Sequence, residues 1–449
     1  MKRLYPMLLV SLLAAAVGST LQAAEPVDWV KAAALKEEAG VIALRQRIHQ
    51  HPELGNQEFE TAKLVAERLK ALGIEVRTQV ANTGVVGVLK GGKPGPVMAL
   101  RADMDALPVP EPKGLAFAST ATGDYQGKQL PVMHACGHDA HTAILLGTAK
   151  VLAEHRDQIE GTVVFIFQPA EEGGANIDNF VDGARVGARQ MIAEGVLDRP
   201  KVDVIFGLHV IAGIPSGEIR YKPGAALNSA DGLRITVDGR QVHGSSPWKG
   251  ADPIVAGAQI VNALQTLVSR RADLSQGMGV VTIGTVHAGT APNIIPDQLV
   301  MQGTIRTSSD AVRDTLLGTL PPMVDHVAQA NGVKAKVELA EYAPVLMNDK
   351  QLTNLMLPSL RKATDGKVLQ VETVASASED FAHFARRVPG LYVFLGATPA
   401  GQDMAKVAPN HSPLFIVDDA TLKTGVRAEV EFVMNYPALV RGAAVKPGA

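Results

Sequence analysis

The densest cluster of reactive side chains is the stretch His134-Ala-Cys136-Gly-His138-Asp139-Ala-His141. It combines one thiol, three imidazoles and one carboxylate within eight residues. A soft thiolate beside imidazoles favours zinc or a neighbouring transition metal. Gly137 permits a turn that would direct Cys136 and His138 towards one point. The alternative is a buried, inert thiol next to a helix N-terminus that Asp139 caps.

Two other groups of polar residues could supply further metal ligands. Glu171 and Glu172 are adjacent, and neighbouring carboxylates can divide the roles of general base and metal ligand. His209 follows an apolar run, and His411 lies between Pro409 and Pro413. Taken singly, the two acids are equally well explained as a solvated loop and His209 as a hydrogen-bonded core residue.

The elements that would position these residues are three short apolar runs, each followed by polar side chains. They predict strands of one mostly parallel sheet, over residues 97–100, 162–167 and 202–208. Open α/β sheets bind ligands at the carboxyl ends of their strands, so clusters remote in sequence could meet there. Asp103 and Asp105 would point the same way along a strand, and one could orient a ligand imidazole. The alternative is a strand end that exposes two acids.

Helical periodicity and a change of texture predict the remaining organisation. Residues 29–50, 61–72, 140–155, 184–194 and 419–436 have helical patterns, and 391–395 is a buried strand. From about residue 225 to 340 the pattern changes to a strand at 233–238, a helix at 252–271, strands at 280–287 and 298–306, a helix at 310–330 and a strand at 334–342. This βαββαβ order is the ferredoxin-like arrangement.

We therefore predict an α/β protein of two domains, as a length of 449 residues also suggests. Residues 25–224 and 341–449 would form a mostly parallel-sheet catalytic domain, and 225–340 an inserted domain. In the inserted domain, His243 follows the first strand, and Asn293 and Arg306 flank a later one. A guanidinium suits a substrate carboxylate, although an ordinary surface arginine is the alternative.

Composition and targeting signals narrow the class of protein. Lysine and arginine total 43 against 45 acidic residues, so there is no basic excess for nucleic acid. Residues 1–24 have the layout of a signal peptide, cleaved after Ala23 or Ala24, with an anchor helix as the alternative. The prediction is an exported protein, periplasmic or secreted, with no membrane contact after processing. Cys136 is the only cysteine, which excludes an intramolecular disulfide.

Six motifs occur in order along the chain. They are Arg47-Ile-His-Gln-His-Pro-Glu-Leu-Gly55, Leu100-Arg-Ala-Asp-Met-Asp-Ala-Leu-Pro108, Met133-His-Ala-Cys-Gly-His-Asp-Ala-His141, Gln168-Pro-Ala-Glu-Glu-Gly173, Asn293-Ile-Ile-Pro296 and Ser378-Glu-Asp-Phe381. Gly-x-Ser-x-Gly, phosphate-loop and His-Glu-x-x-His signatures are absent. Together the motifs resemble the aminoacylase and carboxypeptidase family of dinuclear metallohydrolases, in its hippurate hydrolase and auxin-conjugate amidohydrolase branch. The resemblance covers about residues 34–434.

The resemblance implies two divalent metals per chain, zinc or manganese, with cobalt or nickel as alternatives. It implies that Glu171 is the general base, and Asp105 is the acid we place beside it in the catalytic set. It also implies a homodimer through the inserted domain, in which His243 reaches the partner's active site, while Asn293 and Arg306 bind the substrate's carbonyl and carboxylate. The implied metal ligands, with the thiolate between the metals, are Cys136, His138, Glu172, His209 and His411.

The predicted function is a metal-dependent amidohydrolase that cleaves N-acyl amino acids, or C-terminal residues of short peptides, with a metal-bridging water. A dipeptidase or carboxypeptidase is the alternative within this class, and a non-catalytic metal or peptide binding protein is the alternative outside it. Two departures from the branch bear on specificity. The segment 175–189 is longer than its usual glycine-rich link, and Trp248 stands where a histidine often follows the proline.

Overall fold

The structure is a computed structural model that describes residues 28–181 and 186–444. The predicted signal peptide, residues 1–24, lies outside this part of the chain and stays a prediction. No helix within the described ranges has the length and apolar character needed to span a membrane.

The described residues form helices and strands with the following bounds. The helices are α1 (Trp29–Gln50), α2 (Phe59–Ala71), α3 (His138–Glu154), α4 (Gly187–Ala193), α5 (Pro253–Arg270), α6 (Asp310–Ala330), α7 (Lys350–Ala363), α8 (Phe381–Ala385) and α9 (Leu422–Ala444). The strands are β1 (Glu75–Val80), β2 (Gly84–Lys90), β3 (Lys93–Asp103), β4 (Thr122–Tyr125), β5 (Lys128–Pro131), β6 (Glu160–Gln168), β7 (Val204–Pro215), β8 (Ile219–Tyr221), β9 (Gly224–Leu227), β10 (Ala230–Asp238), β11 (Val242–His243), β12 (Gly279–Ala288), β13 (Ile294–Ile295), β14 (Gln298–Thr307), β15 (Lys334–Ala343), β16 (Leu346–Asn348), β17 (Val368–Gln370) and β18 (Gly390–Thr398).

The larger sheet has eight strands in the order β1-β2-β6-β3-β7-β18-β8-β17. The central strands β6, β3, β7 and β18 are mutually parallel, whereas β1, β2 and β8 pair antiparallel with neighbours. Both faces are covered. Phe165 and Phe167 of β6 face the core formed with α1, α2, α3, α7 and α9, while Val164 and Ile166 face α4 and α8. A strand that is buried on both faces has a continuous run of apolar residues, and β6 has this pattern.

The smaller sheet has four antiparallel strands in the order β12-β14-β10-β15. Its core side chains, such as Leu233, Ile260 and Leu316, come from the strands and from α5 and α6. The chain order β10-α5-β12-β14-α6-β15 is the predicted βαββαβ order, and it interrupts a chain whose two ends both contribute to the larger sheet. The predicted fold class is therefore confirmed.

Several predicted boundaries were wrong. β7 does not end before His209 but continues to Pro215, because it pairs with β18 along this whole length. α3 begins at His138, two residues earlier than predicted, and α9 continues through Pro437 to the end of the described chain. α4 begins at Gly187, and residues 184–185 of its predicted start lie outside the described part.

Candidate metal centre

A left-handed turn brings Cys136 and His138 together at the start of α3. Gly137 between them has φ of 99°, and a Cβ atom there would lie 2.3 Å from Cγ2 of Val210. The position therefore requires glycine on both conformational and steric grounds. The donor atoms of Cys136, His138 and His209 all lie within 4.8 Å of one another.

A second group of donors shares the same thiol. Cys136 Sγ lies 3.3 Å from Nε2 of His209 on one side and 3.3 Å from Nε2 of His411 on the other. Nε2 of His411 also lies 2.8 Å from Oε1 of Glu172. The five predicted metal residues are thus assembled around Cys136, and their role as ligands stays a prediction.

His209 and His411 reach this point from different elements. His209 lies within β7, two residues beyond Gly207, which pairs with Arg101 of β3, so it stands level with the carboxyl end of β3. His411 has a positive φ of 71°, a conformation that is rare for a non-glycine residue. Its backbone N–H donates to the carbonyl of Ala135 at 2.7 Å, which holds the strained residue beside the thiol.

Asp105 fixes the orientation of the His138 ring and the backbone of Glu172. Its Oδ1 lies 3.2 Å from Nδ1 of His138, and its Oδ2 accepts the backbone N–H of Glu172 at 2.9 Å. Nε2 of His138, the ring nitrogen on the other side, is buried without a hydrogen-bond partner in the described residues. Such an orphaned nitrogen, aimed among a thiol and a carboxylate, fits a metal ligand whose second nitrogen is fixed by an acid.

His141 has a different role from the other imidazoles of the motif. Its Nδ1 lies 2.6 Å from Oδ1 of Asp103, and its Nε2 accepts the backbone N–H of Val210 at 2.8 Å. Both ring nitrogens are therefore used, and the residue fixes β7 next to His209. Of the two acids Asp103 and Asp105, it is Asp105 that contacts the candidate ligand His138 at hydrogen-bond distance.

The charges at the centre favour a bound cation. Burial and the neighbouring Glu172 carboxylate raise the pKa of Cys136 well above its usual value. Although burial opposes it, the Asp103 and Asp105 carboxylates raise the pKa of His138 to about 10. A divalent metal takes a thiolate and a neutral imidazole, so its charge would offset both effects. The donor set therefore fits divalent metals.

Glu171 lies between the donors and the start of α8, and one of its carboxylate oxygens is within 4.8 Å of donor atoms of His138 and Glu172. Its Oε1 accepts the backbone N–H of Asp380 at 3.4 Å. Burial, together with the charges of Glu379 and Glu172, raises the pKa of Glu171 well above that of an ordinary glutamate. A carboxylate that lies beside the donors and is also held by the start of α8 has the placement that a general base needs.

A buried network that sequence reasoning missed lies under Glu171. Arg101 is 1% exposed, and its guanidinium donates to carboxylates of β3 and the α8 start. Burial of a charge in a strand interior requires such pairing. The signal was Arg101 itself, a cation inside an apolar run, and the Ser378-Glu-Asp-Phe381 motif. The acceptors are Gln168 Oε1 at 2.9 Å, Asp103 Oδ2 at 2.7 Å, Glu379 Oε1 at 2.9 Å and Asp380 Oδ1 at 3.1 Å.

A cavity of 740 Å³ opens onto the centre. Four of the five candidate metal residues line it, together with Glu171 and apolar side chains that include Ile211, Leu227 and Phe394. Arg306 also lines it, half-buried, with its Nη1 donating to Oγ of Ser378 at 2.7 Å. The structure therefore places Arg306 at the same cavity as the candidate base.

His243 and Asn293 are not brought to this cavity within the described chain. Both side chains are exposed, on a separate patch of the inserted domain where β11 pairs with β13. The Ser245 hydroxyl donates a hydrogen bond to Nδ1 of His243 at 2.8 Å. The backbone N–H of Gly244 donates to the Asn293 carbonyl. Trp248, 76% exposed, follows in the next turn.

The fold, with its two main sheets, and the donors shared around one thiol are those of a metal-dependent hydrolase with an inserted domain. The chain belongs to peptidase family M20/M25/M40, whose family model matches residues 99–435. This confirms the family that the motifs indicated.

Several proteins are similar in sequence or structure over most of this chain. The sequence is 39% identical over 398 residues to thermostable carboxypeptidase 2 of Saccharolobus solfataricus, covering 88% of this chain and 95% of that one. It is 36% identical to the N-acetyl-L-cysteine deacetylase of Bacillus subtilis, with coverage of 86% and 85%. A solved dinuclear metal-binding peptidase of the M20 family from Bacillus subtilis has a TM-score of 0.71 at 32% identity, covering 90% of this chain and 99% of that one. The protein is a hydrolase of amide bonds, as predicted.

Proposed function

We propose that this protein cleaves the amide bond of N-acyl amino acids, using two divalent ions, zinc or manganese. The ions would be held by Cys136, His138, Glu172, His209 and His411. The observation that carries the proposal is the cavity that joins four of these five residues to Glu171 and to Arg306. The similarity to a deacetylase of an N-acetyl amino acid supports an acyl amino acid as substrate.

The residues divide the reaction between them. When bound, the metals would lower the pKa of a water molecule and polarise the scissile carbonyl. Glu171 accepts the proton of the attacking water and passes it to the leaving amine, because its carboxylate faces the cavity without being committed to the donor cluster. Arg306 holds the substrate's carboxylate by charge-assisted hydrogen bonds, which fixes the amide over the donors.

A second candidate is release of the C-terminal residue from short peptides. It is favoured by the similarity to a protein named thermostable carboxypeptidase, and by Arg306, since both kinds of substrate have a carboxylate on the leaving side. Ratios of kcat/KM for acyl amino acids and dipeptides with the same C-terminal residue separate the two candidates.

We also propose a homodimer formed through the inserted domain, and export of the mature chain. β12 is an edge strand of the smaller sheet, and its exposed Val280 and Val286 leave an apolar border that a two-fold mate could cover. In such a dimer, His243 and Asn293 would reach the partner's cavity. Localisation is tested by comparing the N-terminus and compartment of the mature protein with those of a chain lacking residues 1–24.

The proposed activity is tested by metal analysis combined with a substrate panel. We expect two metals per chain, turnover of several N-acyl amino acids, loss of turnover on chelation and recovery on adding zinc or manganese. Full activity after exhaustive chelation, or saturation at one metal per chain, would contradict the dinuclear mechanism. Metal binding with no turnover of any acyl amino acid or peptide would favour a binding protein instead.

A further inference from the structure

A second, smaller cavity adjoins the first and has no role in the proposed reaction. Its volume is 330 Å³, and it shares Glu171 and Arg306 with the larger cavity. The rest of its wall includes Arg189 from α4 and Tyr342 from β15, so it lies where the two domains meet. A ligand whose amide lies over the donors can therefore extend past Arg306 into this space.

Two guanidinium groups of the wall have no ionic partner among the residues that the structure describes. Neither Arg189 nor Arg306 forms a salt bridge with any carboxylate of the described residues. Nη1 of Arg189 donates to the carbonyl of Glu341 at 2.9 Å, and Nη1 of Arg306 donates to Ser378. Each guanidinium retains further N–H donors and its full charge.

The acids of the same wall are already paired. The Glu341 carboxylate lies 2.6 Å from Nη2 of Arg313, and Asp380 lies 3.1 Å from Nη2 of Arg101. Glu172 faces His411 and the other donors. Among the described charged groups of this wall, only Arg189, Arg306 and, next to the donors, Glu171 lack an ion-pair partner. Arg313 also pairs with Asp231, and Arg101 also pairs with Asp103 and Glu379.

Asn179, within the longer segment noted in the sequence, lines one side of this cavity. Asp178 accepts from Nη2 of Arg234 at 2.9 Å, and that guanidinium lies 4.3 Å from the ring centroid of Phe180. These contacts fix Asn179 beside Tyr342, at the wall. A Cβ atom at Gly232 would lie 2.6 Å from the Tyr342 hydroxyl, so the packing is tight. The cavity is thus walled by residues held in place by contacts between the domains.

We propose that this smaller cavity is a subsite for an acidic amino-acid side chain in the substrate, and the proposal rests on the proposed function. Arg306 binds the α-carboxylate and Arg189 binds the second carboxylate, as in the amino-acid half of an N-acyl glutamate or aspartate. A neutral side chain would leave the half-buried Arg189 without an anion, and a basic one would be repelled.

The test compares the binding of L-glutamate and L-glutamine, the candidate leaving groups, to the metal-loaded protein by titration calorimetry. We expect wild type to bind glutamate about 10-fold or more tightly than glutamine. One charge-assisted hydrogen-bonded pair raises the affinity by roughly this factor. Arg189→Gln should bring this ratio close to one. Arg271→Gln, which removes an exposed arginine at the end of α5, should leave the ratio and the turnover unchanged.

Equal affinity of wild type for the two amino acids would overturn the subsite, and so would a preference that survives in Arg189→Gln. Thermal melts establish that the variant is folded, and Arg189→Met replaces it if it is not. Turnover of N-acetyl-glutamine by wild type tests the proposed function separately. Glutamate binding that depends on Arg189, without any turnover, would support the subsite and refute the hydrolytic function.

Discussion

Glu171 and Glu172 are neighbours in the chain, yet their carboxylates meet different surroundings. Glu172 turns to the donors, where His411 lowers its pKa although burial opposes the shift. Glu171 turns to the start of α8, where burial and the adjacent acids raise its pKa. Two carboxylates whose environments shift their pKa values in opposite directions are suited to different tasks.

Glutamine at each of these positions should therefore have a different effect. Glu171→Gln should retain two metals and lose at least about 100-fold in kcat, because an amide cannot accept the proton of water. Glu172→Gln should instead lose metal, because an amide is a poorer ligand than a carboxylate. Metal content after dialysis and kcat at saturating metal check both variants. The reverse pattern would exchange the two roles.

Arg306→Ala should raise KM for substrates with a free carboxylate by about 10-fold or more. The same variant should have little effect on analogues whose carboxylate is amidated, since the guanidinium has no anion to bind there. Steady-state kinetics on matched pairs of substrates measure the difference, with Arg271→Ala as the exposed control. Equal losses on both members of a pair would show that Arg306 supports the wall and does not bind the carboxylate.

At the scale of elements, α3 positions the candidate ligands and is itself held by buried charges. Asp139 accepts from Nε of Arg45 at 2.8 Å and lies 2.8 Å from Nδ1 of His49, both on α1. Asp139 therefore does not cap its own helix, as the inert alternative required, but ties the first turn of α3 to α1. Removing one member of such a buried ion pair typically lowers the free energy of unfolding by about 3–5 kcal/mol.

α3 and α9 also share a buried acid that should make stability depend on pH. Burial raises the pKa of Glu429 to about 8, an effect that the Thr148 hydroxyl offsets in part. Between pH 4.5 and 8 the folded protein keeps this carboxyl protonated while the unfolded chain ionises it, so stability falls as pH rises through that range.

Glu429→Gln should remove this penalty. The expected gain in the free energy of unfolding is up to roughly 3 to 4 kcal/mol at pH 7, from 2.5 pH units at roughly 1.4 kcal/mol each, and about zero near pH 4. Denaturant midpoints between pH 4 and 8 measure it. Glu67→Gln, an exposed position on α2, should show no such trend. A gain that does not vary with pH would mean that the side chain's packing, and not its charge, is responsible.

Periodicity predicted the elements better than it predicted their ends. The six elements of the inserted domain were placed within three residues at each end, because alternating and helical patterns contrast sharply there. The end of β7 was missed because His209 interrupts an apolar run, although pairing with β18 continues past it. The Arg101 network was also missed, since its partners come from β3, β6 and the loop before α8, and no local sequence pattern encodes contacts between them.

At the scale of the whole molecule, one chain leaves a predicted catalytic residue and a predicted substrate-binding residue outside its own cavity. His243 and Asn293 share an exposed patch of the inserted domain, whereas Arg306 of the same domain lines the cavity. A second copy, joined through the exposed edge strand β12, could supply the patch to the site of its mate. An isologous two-fold contact would complete both sites at once.

We predict that two inactive variants, His243→Ala and Glu171→Gln, regain activity when their subunits exchange. In a mixed dimer, the site of the His243→Ala chain has an intact Glu171 and receives an intact His243 from its mate. Random pairing makes half of the dimers mixed with one complete site each, so recovery should approach about a quarter of the wild-type rate. Mixing Glu171→Gln with Glu172→Gln is the matched control, because both changes lie in the donor centre of their own chain and no site becomes complete. Heterodimers demonstrated by mass spectrometry, without recovery of activity, would mean that His243 does not act across the interface.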